Sequence, residues 1–486
     1  MTPVLIITCV AVYSALLFYI TWVTSRKANN GSFFIGNNSS RWYVVAYGMI
    51  GASLSGVTFM SVPGWVGTSQ FSYMFVVLGY FFGYLVIAGI LMPMYYRLKL
   101  TSIYGYLEQR FGFFSYKTGA FFFLLSRTIG AAFRMFLVVN VLQTFVFDAF
   151  GIPFIVTVAV FILLILLYTF EGGIKTIVWT DTLQTTFMLL ALVISASIMV
   201  KQLNLPFFSM LKKVGASDYS KMIFLNWNDQ RSSIKQFLSG LFICIAMTGL
   251  DQEMMQKNLS CRNLKDAQKN MISFSLVLIL VNFLFLFLGA VLYFYSQSIG
   301  MGIPSKTDNL FPMIALNHLG PFAGIVFVIG LISAAYPSAD GALTSLTTSV
   351  CIDFLDFQKK PDSSDKKKIR YAVHFSFALI LLAVIVCFRN LNDSATVEKL
   401  FKAAGYTYGP LLGLFFFGLF TRFQIKDKWT PLICLLAPAF CYILNAHSKQ
   451  WLNGYEFGFL ILPLNGFLTF TGLWLIRKSA ARNPGL

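Results

Sequence analysis

Charged residues are scarce in this chain of 486 residues, of which 12% are Asp, Glu, Lys or Arg, against about 25% in a soluble domain. Hydrophobic residues make up 57% of the sequence, and the mean hydropathy is +0.71. A chain of this composition cannot hide its apolar surface from water, which excludes a soluble enzyme, a disordered scaffold and a collagen-like fibre. The apolar residues form continuous runs of about 20 rather than alternating segments of about 10, so helices are predicted and a β-barrel is excluded.

Histidine and paired cysteine are also scarce. The sequence has 3 histidines and 7 cysteines, none in a CxxC pattern, which argues against a disulfide framework, a zinc site and histidine-based catalysis. Acidic residues number 19 against 37 basic ones, for a net charge of +18. No loop is long enough to form a basic soluble domain, so the excess is assigned to cytoplasmic loops facing anionic lipid, and no nucleic-acid partner is expected.

Thirteen apolar segments are long enough to cross about 30 Å of hydrocarbon. The fold class predicted is an all-α polytopic membrane protein with about 13 transmembrane helices, and the whole of 1–486 is one membrane domain. The predicted segments are 3–23, 42–68, 71–96, 118–147, 152–170, 177–200, 234–256, 271–297, 321–352, 371–388, 397–421, 429–446 and 456–476.

The distribution of basic residues predicts the orientation. With the N-terminus outside and the C-terminus in the cytoplasm, 24 of the 37 Lys and Arg residues fall in inner segments, Lys257 among them, and 11 in outer ones. This bias agrees with the positive-inside rule. The first segment lacks a basic start, so it is predicted to be a retained helix rather than a signal peptide.

Charged residues within apolar segments are candidates for function, because each costs at least about 2.5–3.5 kcal/mol at the bilayer centre. Arg127 and Arg134 are seven residues apart and therefore share one helix face. Asp181 and Asp340 are predicted to bind an ion or a proton, whereas Asp251, near an inner helix end, is interpreted as a solvated structural residue.

Two segments carry residues typical of interrupted helices. Segment 42–68 contains Gly51-Ala52-Ser53-Leu54-Ser55-Gly56 and then Pro63-Gly64. Segment 321–352 contains Pro337, which removes the hydrogen bond to the carbonyl of Ser333. Unwound backbone is tolerated at membrane depth where it lines a cavity. Pooled carbonyl and hydroxyl oxygens are hard ligands, suited to a small cation.

Four stretches in the order expected for a thirteen-helix plan resemble the sodium:solute symporter family, which includes bacterial proline, sialic acid and sugar transporters. The resemblance implies a LeuT-type fold with inverted five-helix repeats at 42–200 and 234–421. The helix at 3–23 and the two at 429–476 would be peripheral. The matching stretches are Tyr168–Lys175 with Val178–Gln184, Thr248–Gln252 with Gln256–Asn258, Ala334–Asp353, and Gly405–Gly413.

The resemblance also implies a sodium site. Its ligands would be the carbonyls of Gly51, Leu54 and Ala334 and two adjacent hydroxyls, which fall on Pro337 and Ser338. Pro337 departs from the family pattern because it has no hydroxyl.

A second cation site, present in some members, would use Asp181. Its partner positions fall on Asp340 and Gly341, where hydroxyls are usual, so Asp340 would add a carboxylate.

Substrate contacts in the family come from the first and sixth core helices. The first helix looks most like that of the sialic acid branch, which binds a substrate carboxylate through an arginine of the third helix. Either Arg127 or Arg134 can take that part. The other positions implied are Ser53, Ser55, Thr58, Phe59, Cys244, Met247 and Thr248.

The function predicted is sodium-coupled uptake of a small organic solute across the inner membrane by alternating access. A sialic acid, sugar or carboxylate is favoured, and the oligomeric state is left open. A proton-coupled carrier is the first alternative. A transporter-like sensor is the second, although it would normally carry a cytoplasmic signalling domain. A membrane enzyme is disfavoured because His, Cys and Glu pairs are missing from the apolar segments.

Overall fold

The structure is a computed structural model that describes residues 3–25, 33, 34, 36–170, 173–359, 364–389 and 396–478. These ranges are helical, with short connections and no named strand among them. Some positions of the sequence analysis lie outside the described residues: Glu171 and Gly172 belong to the matching stretch Tyr168–Lys175, and Arg26, Lys27, Lys360 and Arg482 are four of the 24 basic residues assigned to inner segments.

Eighteen helices are numbered here in chain order, within the described ranges. The first nine are α1 (Pro3–Ser25), α2 (Trp42–Ser53), α3 (Gly56–Ser69), α4 (Tyr73–Arg97, with a π-helical turn at Ile87–Leu91), α5 (Gly105–Arg110), α6 (Phe113–Leu142), α7 (Phe154–Thr169), α8 (Gly173–Gln202) and α9 (Phe207–Gly215). The others are α10 (Ser233–Gly249, ending in a π-helical turn), α11 (Gln252–Leu259), α12 (Leu264–Ser298), α13 (Leu310–Asn317), α14 (Pro321–Ser349), α15 (Ser364–Phe388), α16 (Thr396–Phe420), α17 (Thr430–Trp451) and α18 (Ile461–Leu475).

The chain is a multi-pass membrane protein. Within the described residues, ten helices are long and apolar enough to cross a membrane, and the count reaches twelve when each of two bent pairs is taken as one span. The remaining predicted segment corresponds to α7, which has 16 residues and so a length of about 24 Å. The count of thirteen spans therefore stays a prediction.

Two spans are broken in the interior. The axes of α2 and α3 differ by 55°, and those of α10 and α11 by 65°. The first break, at Leu54-Ser55, lies within the run of glycine and serine predicted to unwind. The second falls at Leu250-Asp251, directly after the π-helical turn Ile245–Gly249. Both breaks lie among buried residues, so their free backbone groups face protein rather than lipid.

The predicted interruption at Pro337 is wrong. Helix α14 runs without a break from Pro321 to Ser349 with Pro337 inside it. Proline removes one hydrogen bond from the helix, but nearly every residue around it is buried against neighbouring helices. Packing along the whole length keeps α14 helical in spite of that loss.

Helix α8 lies between α2 and α14, and α14 also packs against α3 and α6. Helix α6 in turn packs against α16, and α10 packs against α4. These contacts bring the two breaks, the arginines of α6 and the aspartates of α8 and α14 into one buried region.

Candidate functional site

The break between α2 and α3 frees backbone oxygen atoms. Leu54 has φ −90° and ψ 79°, outside the helical region. Among the described residues, no hydrogen bond reaches the carbonyl oxygen of Gly51 or of Leu54. Buried carbonyls are nearly always satisfied by protein, water or an ion. The pair is therefore a candidate for part of a cation site.

Helix α14, which packs against α2 and α3, carries a further oxygen atom that is unpartnered within the described residues. Ser338 is fully buried, and its hydroxyl has no hydrogen-bond partner among the described residues. Ala334 lies one turn earlier on the same face of α14, which packs against α2 and α3. Neutral carbonyl and hydroxyl oxygens suit a hard cation such as Na⁺, so the predicted ligand set fits the ion.

Gly51 also fixes α2 against α8. Its N–H donates to Oγ1 of Thr185 at 3.0 Å. The threonine occupies the space that a side chain at position 51 would need. Glycine is required here because two helices approach closely, and the approach holds the Gly51 carbonyl in place.

A cavity of about 80 Å³ lies beside the break. Seven of the nine predicted substrate residues line it. The lining includes Ser53, Ser55, Thr58, Arg134, Cys244, Met247 and Thr248, together with Tyr73, Tyr80, Tyr84, Asn282, Leu400 and Phe401.

Arg134 is the one charged residue of the described cavity wall. It is 8% exposed, and its Nε and Nη1 have no hydrogen-bond partner among the described residues. A buried guanidinium without a partner is costly, and its planar fork suits a carboxylate. The guanidinium nitrogens, unpartnered within the described part of the chain, make Arg134 a candidate ligand for an anionic group in this cavity.

Two predicted substrate residues lie elsewhere. Phe59 is fully buried in an aromatic cluster with Phe285, Phe311 and Phe327, at ring-centroid distances of 5.3–6.0 Å. Its position on α3 turns it away from the cavity, so it supports helix packing.

Arg127 lies outside the cavity of about 80 Å³. It forms an ion pair with Glu253 and lies 3.8 Å from Asp251. Of the two arginines, Arg134 is thus the one without an acidic partner among the described residues.

Asp251 stands at the second break rather than in solvent, which corrects the expectation of a solvated residue. It is fully buried, and its Oδ1 accepts hydrogen bonds from the N–H groups of Glu253 and Met254, which caps α11. Its Oδ2 accepts a hydrogen bond from Tyr408 at 2.6 Å.

Asp181 is held by a lysine. The Nζ of Lys257 lies 2.7 Å from Oδ2 of Asp181 and 3.4 Å from Oε1 of Glu253, and all three side chains are at most 1% exposed. Lys257 was assigned to an inner loop by its place at the end of an apolar segment, and that assignment is wrong. It belongs to a buried chain of ion pairs that runs through α6, α11 and α8.

Asp340 is bound differently from Asp181. Its Oδ2 accepts a hydrogen bond from Tyr168 at 2.8 Å, and its Oδ1 accepts one from the N–H of Gly341 at 2.5 Å. It interacts electrostatically with Asp181 and Lys257. Among the described residues, no group of three or more His, Cys, Asp or Glu is placed to hold a metal ion.

Two sets of residues in this region were not predicted from the sequence. Tyr73, Tyr80 and Tyr84 line the cavity from α4, and their spacing of seven and four residues places them on one helix face. That periodicity was a usable signal. Glu253 and Lys257 are four residues apart on α11, a spacing that pairs opposite charges on a helix.

Buried polar cavities beside paired helix breaks define a class of protein, the secondary transporters with discontinuous helices. The chain belongs to the sodium:solute symporter family, whose model matches residues 33–424. It is a sodium-coupled transporter of a small solute, and the fold is of the LeuT type.

Known relatives and a solved structure are similar over most of the chain. A sodium/sialic acid symporter of Proteus mirabilis is 22% identical over 84% of this chain and 83% of its own. Another from Aliivibrio fischeri is 21% identical over 94% and 92%. The structure of a Na⁺-coupled sialic acid symporter in a substrate-bound outward-open state superposes with a TM-score of 0.81 at 19% identity, over 97% of both chains.

Proposed function

We propose that the solute carries a carboxylate and that Arg134 binds it. The observation that carries this proposal is the buried guanidinium of Arg134, which lines the cavity without an acidic partner among the described residues. Hydroxyls of Ser53, Ser55 and Thr58 line the same cavity and can orient the rest of the solute. The solutes named for two groups of relatives, sialic acid and monocarboxylates, are acids.

The sodium ion is proposed to bind at the first break. Its ligands are the carbonyls of Gly51, Leu54 and Ala334 and the hydroxyl of Ser338. The unpaired carbonyls of Gly51 and Leu54 support this assignment, as does the unpartnered hydroxyl of Ser338. A cation at this break would link α2 and α3 to α14, next to the solute cavity, and so couple ion binding to solute binding.

The proposed architecture has repeats at 42–200 and 234–421, each of which begins with one of the two broken spans. The helix at 3–23 and those at 429–476 are peripheral. Transport is inward across the cell membrane, with the N-terminus outside and the C-terminus in the cytoplasm. The basic residues of the connecting segments support that orientation.

The cavity must enlarge for a solute to bind. Ligand sites for small organic molecules usually measure about 300–1,000 Å³, whereas this cavity measures about 80 Å³. We infer that the structure represents a state in which this cavity is narrower than it is around a bound solute. Alternating access requires such a state between outward-open and inward-open forms.

Uptake by proteoliposomes tests the proposal. Radiolabelled N-acetylneuraminate, lactate and gluconate are compared with glucose and proline under an inward Na⁺ gradient, with K⁺ or choline as the replacement cation. At least one acid is expected to accumulate, and only with Na⁺. Accumulation of a neutral solute that no acid inhibits would refute the carboxylate assignment.

A proton is the second candidate for a coupling ion, in addition to Na⁺. Asp340 favours it, because this buried carboxylate has no cation within ion-pair distance among the described residues, and burying an isolated charge is costly. Uptake measured at fixed Na⁺ gradient with and without an inward pH gradient decides this point.

A further inference from the structure

The family resemblance assigns Asp181 to a second cation site, but this carboxylate already forms an ion pair with Lys257. Lys257 places its ammonium 2.7 Å from Oδ2 of Asp181, and both side chains are 1% exposed. The lysine belongs to α11 and the aspartate to α8, so the contact joins helices of different parts of the chain. Oε1 of Glu253 lies 3.4 Å from the same ammonium.

The other positions of that cation site are also occupied. Both oxygens of Asp340 accept hydrogen bonds, one from Tyr168 and one from the N–H of Gly341. A side chain at Gly341 would collide with the carboxylate of Glu253, which fills the space beside it. Within the part of the chain described, Oδ2 of Asp181 and both oxygens of Asp340 are already engaged by protein donors.

A free sodium ion competes poorly with this lysine. The ammonium is tethered to the chain next to its two carboxylates, so it needs no encounter from solution and its effective concentration is high. Displacing it from Asp181 would leave a buried ammonium without the closer of its two carboxylates, which is unfavourable. Sodium would also have to shed its water to enter a region with almost no exposure.

We propose that Lys257 is a built-in cation at Asp181. This transporter therefore binds one Na⁺, at the first break. The second cation site, at Asp181, is latent, which means that it cannot bind Na⁺ while the lysine ammonium is present. The inference rests on the proposed sodium site at Gly51, Leu54, Ala334 and Ser338. Removing the ammonium exposes the latent site. Oδ1 of Asp181 is buried and unpartnered among the described residues, and with Oδ2 and Glu253 it supplies carboxylate oxygens to an incoming ion.

Equilibrium binding of radioactive sodium to the purified full chain tests this inference without any solute. The wild type is expected to bind one ion per chain at saturation. Lys257→Met removes the charge while keeping a long side chain, and it should bind two. Lys257→Arg keeps a cation at the position and should bind one.

Two further variants keep the test decisive if Lys257→Met does not fold. The double variant Lys257→Met/Asp181→Asn removes both charges of the pair and should bind one ion. Asp181→Asn alone should also bind one, because Asp181 is not a sodium ligand in the wild type. Size-exclusion chromatography checks that each variant is monodisperse.

Three outcomes overturn the inference: two ions bound by the wild type, loss of one ion in Asp181→Asn, or one ion in a folded Lys257→Met. A wild type that binds no sodium would instead refute the proposed site at the first break. The failure of this inference and the failure of the proposed function are thus distinguishable.

Discussion

At the scale of single residues, Arg134 is the proposed ligand of the solute carboxylate. Replacing Arg134 by Lys keeps the charge but removes the planar guanidinium, which can donate two parallel hydrogen bonds to a carboxylate. We expect the apparent affinity for the solute to fall about tenfold, or about 1.4 kcal/mol. The measurement is the concentration dependence of uptake, or solute-dependent thermal stabilisation of the purified protein.

Arg127→Lys is the matched control for Arg134→Lys, because Arg127 lies two helical turns away on the same helix. Arg127 is paired with Glu253, so its replacement should lower the melting temperature and leave the solute affinity nearly unchanged. Equal affinity losses in both variants would mean that neither arginine binds the solute directly.

Asp340 gives a second prediction at this scale. If it carries a proton in the cycle, Asp340→Asn should remove the effect of an inward pH gradient on uptake while sodium dependence persists. Asn can still accept the hydrogen bond from Tyr168. If the pH dependence of uptake is the same in wild type and variant, Asp340 has a packing role.

Two buried charged residues, Arg134 and Lys257, differ in how well the sequence predicted them. Arg134 was recognised as a candidate because a charge in an apolar segment is rare. Lys257 was not, because it lies at the end of such a segment, and one of the two carboxylates that pair with it in the interior is the distant Asp181. Periodicity along one helix gives no information about a partner 76 residues away.

At the scale of helices, glycine and hydroxyl residues proved a better indicator of a break than proline. Segment 42–68 was predicted to unwind at its glycine and serine run, and the break between α2 and α3 is there. Pro337 was predicted to open its helix, and α14 is continuous. A single missing hydrogen bond is outweighed by burial on all sides, which composition alone does not reveal.

Helix α14 carries the third prediction. Pro337→Ser places a hydroxyl beside Ser338, where the family usually has one, and restores an N–H for the carbonyl of Ser333. We expect a severalfold gain in sodium affinity with transport retained, because one more hard ligand faces the ion. Sodium-dependent thermal stabilisation, with choline as the control salt, measures it.

Ser338→Ala is the companion variant, and it should weaken sodium binding by removing the hydroxyl that is unpartnered in the described structure. Should both variants titrate with sodium as the wild type does, α14 supplies no ligand and the assignment at this helix is wrong.

At the scale of the whole molecule, an aromatic layer separates two cavities. Phe401 lines the solute cavity, and its ring centroid is 4.9 Å from that of Phe459. Phe459 and Trp65 line a second cavity of about 400 Å³ at the end of α3, and their rings are 6.1 Å apart. The proposed orientation places this larger cavity on the outer side.

Phe401→Ala should therefore open the solute cavity toward the outer side. Native Cys244, which lines that cavity and is 3% exposed, can report the change by its reaction with a membrane-impermeant thiol reagent in right-side-out vesicles. The background keeps Cys244 alone and replaces Cys9, Cys261, Cys351, Cys387, Cys434 and Cys441.

Labelling of Cys244 should be slow with Phe401 present and several times faster in Phe401→Ala, because removal of the ring connects the two cavities. Phe420→Ala is the control, since Phe420 is on the same helix and 62% exposed, and it should leave the rate unchanged. A solute that occupies the cavity should slow the labelling of Cys244 both with Phe401 present and in Phe401→Ala. Equal rates in Phe401→Ala and the control would place the outer barrier at another layer of the protein.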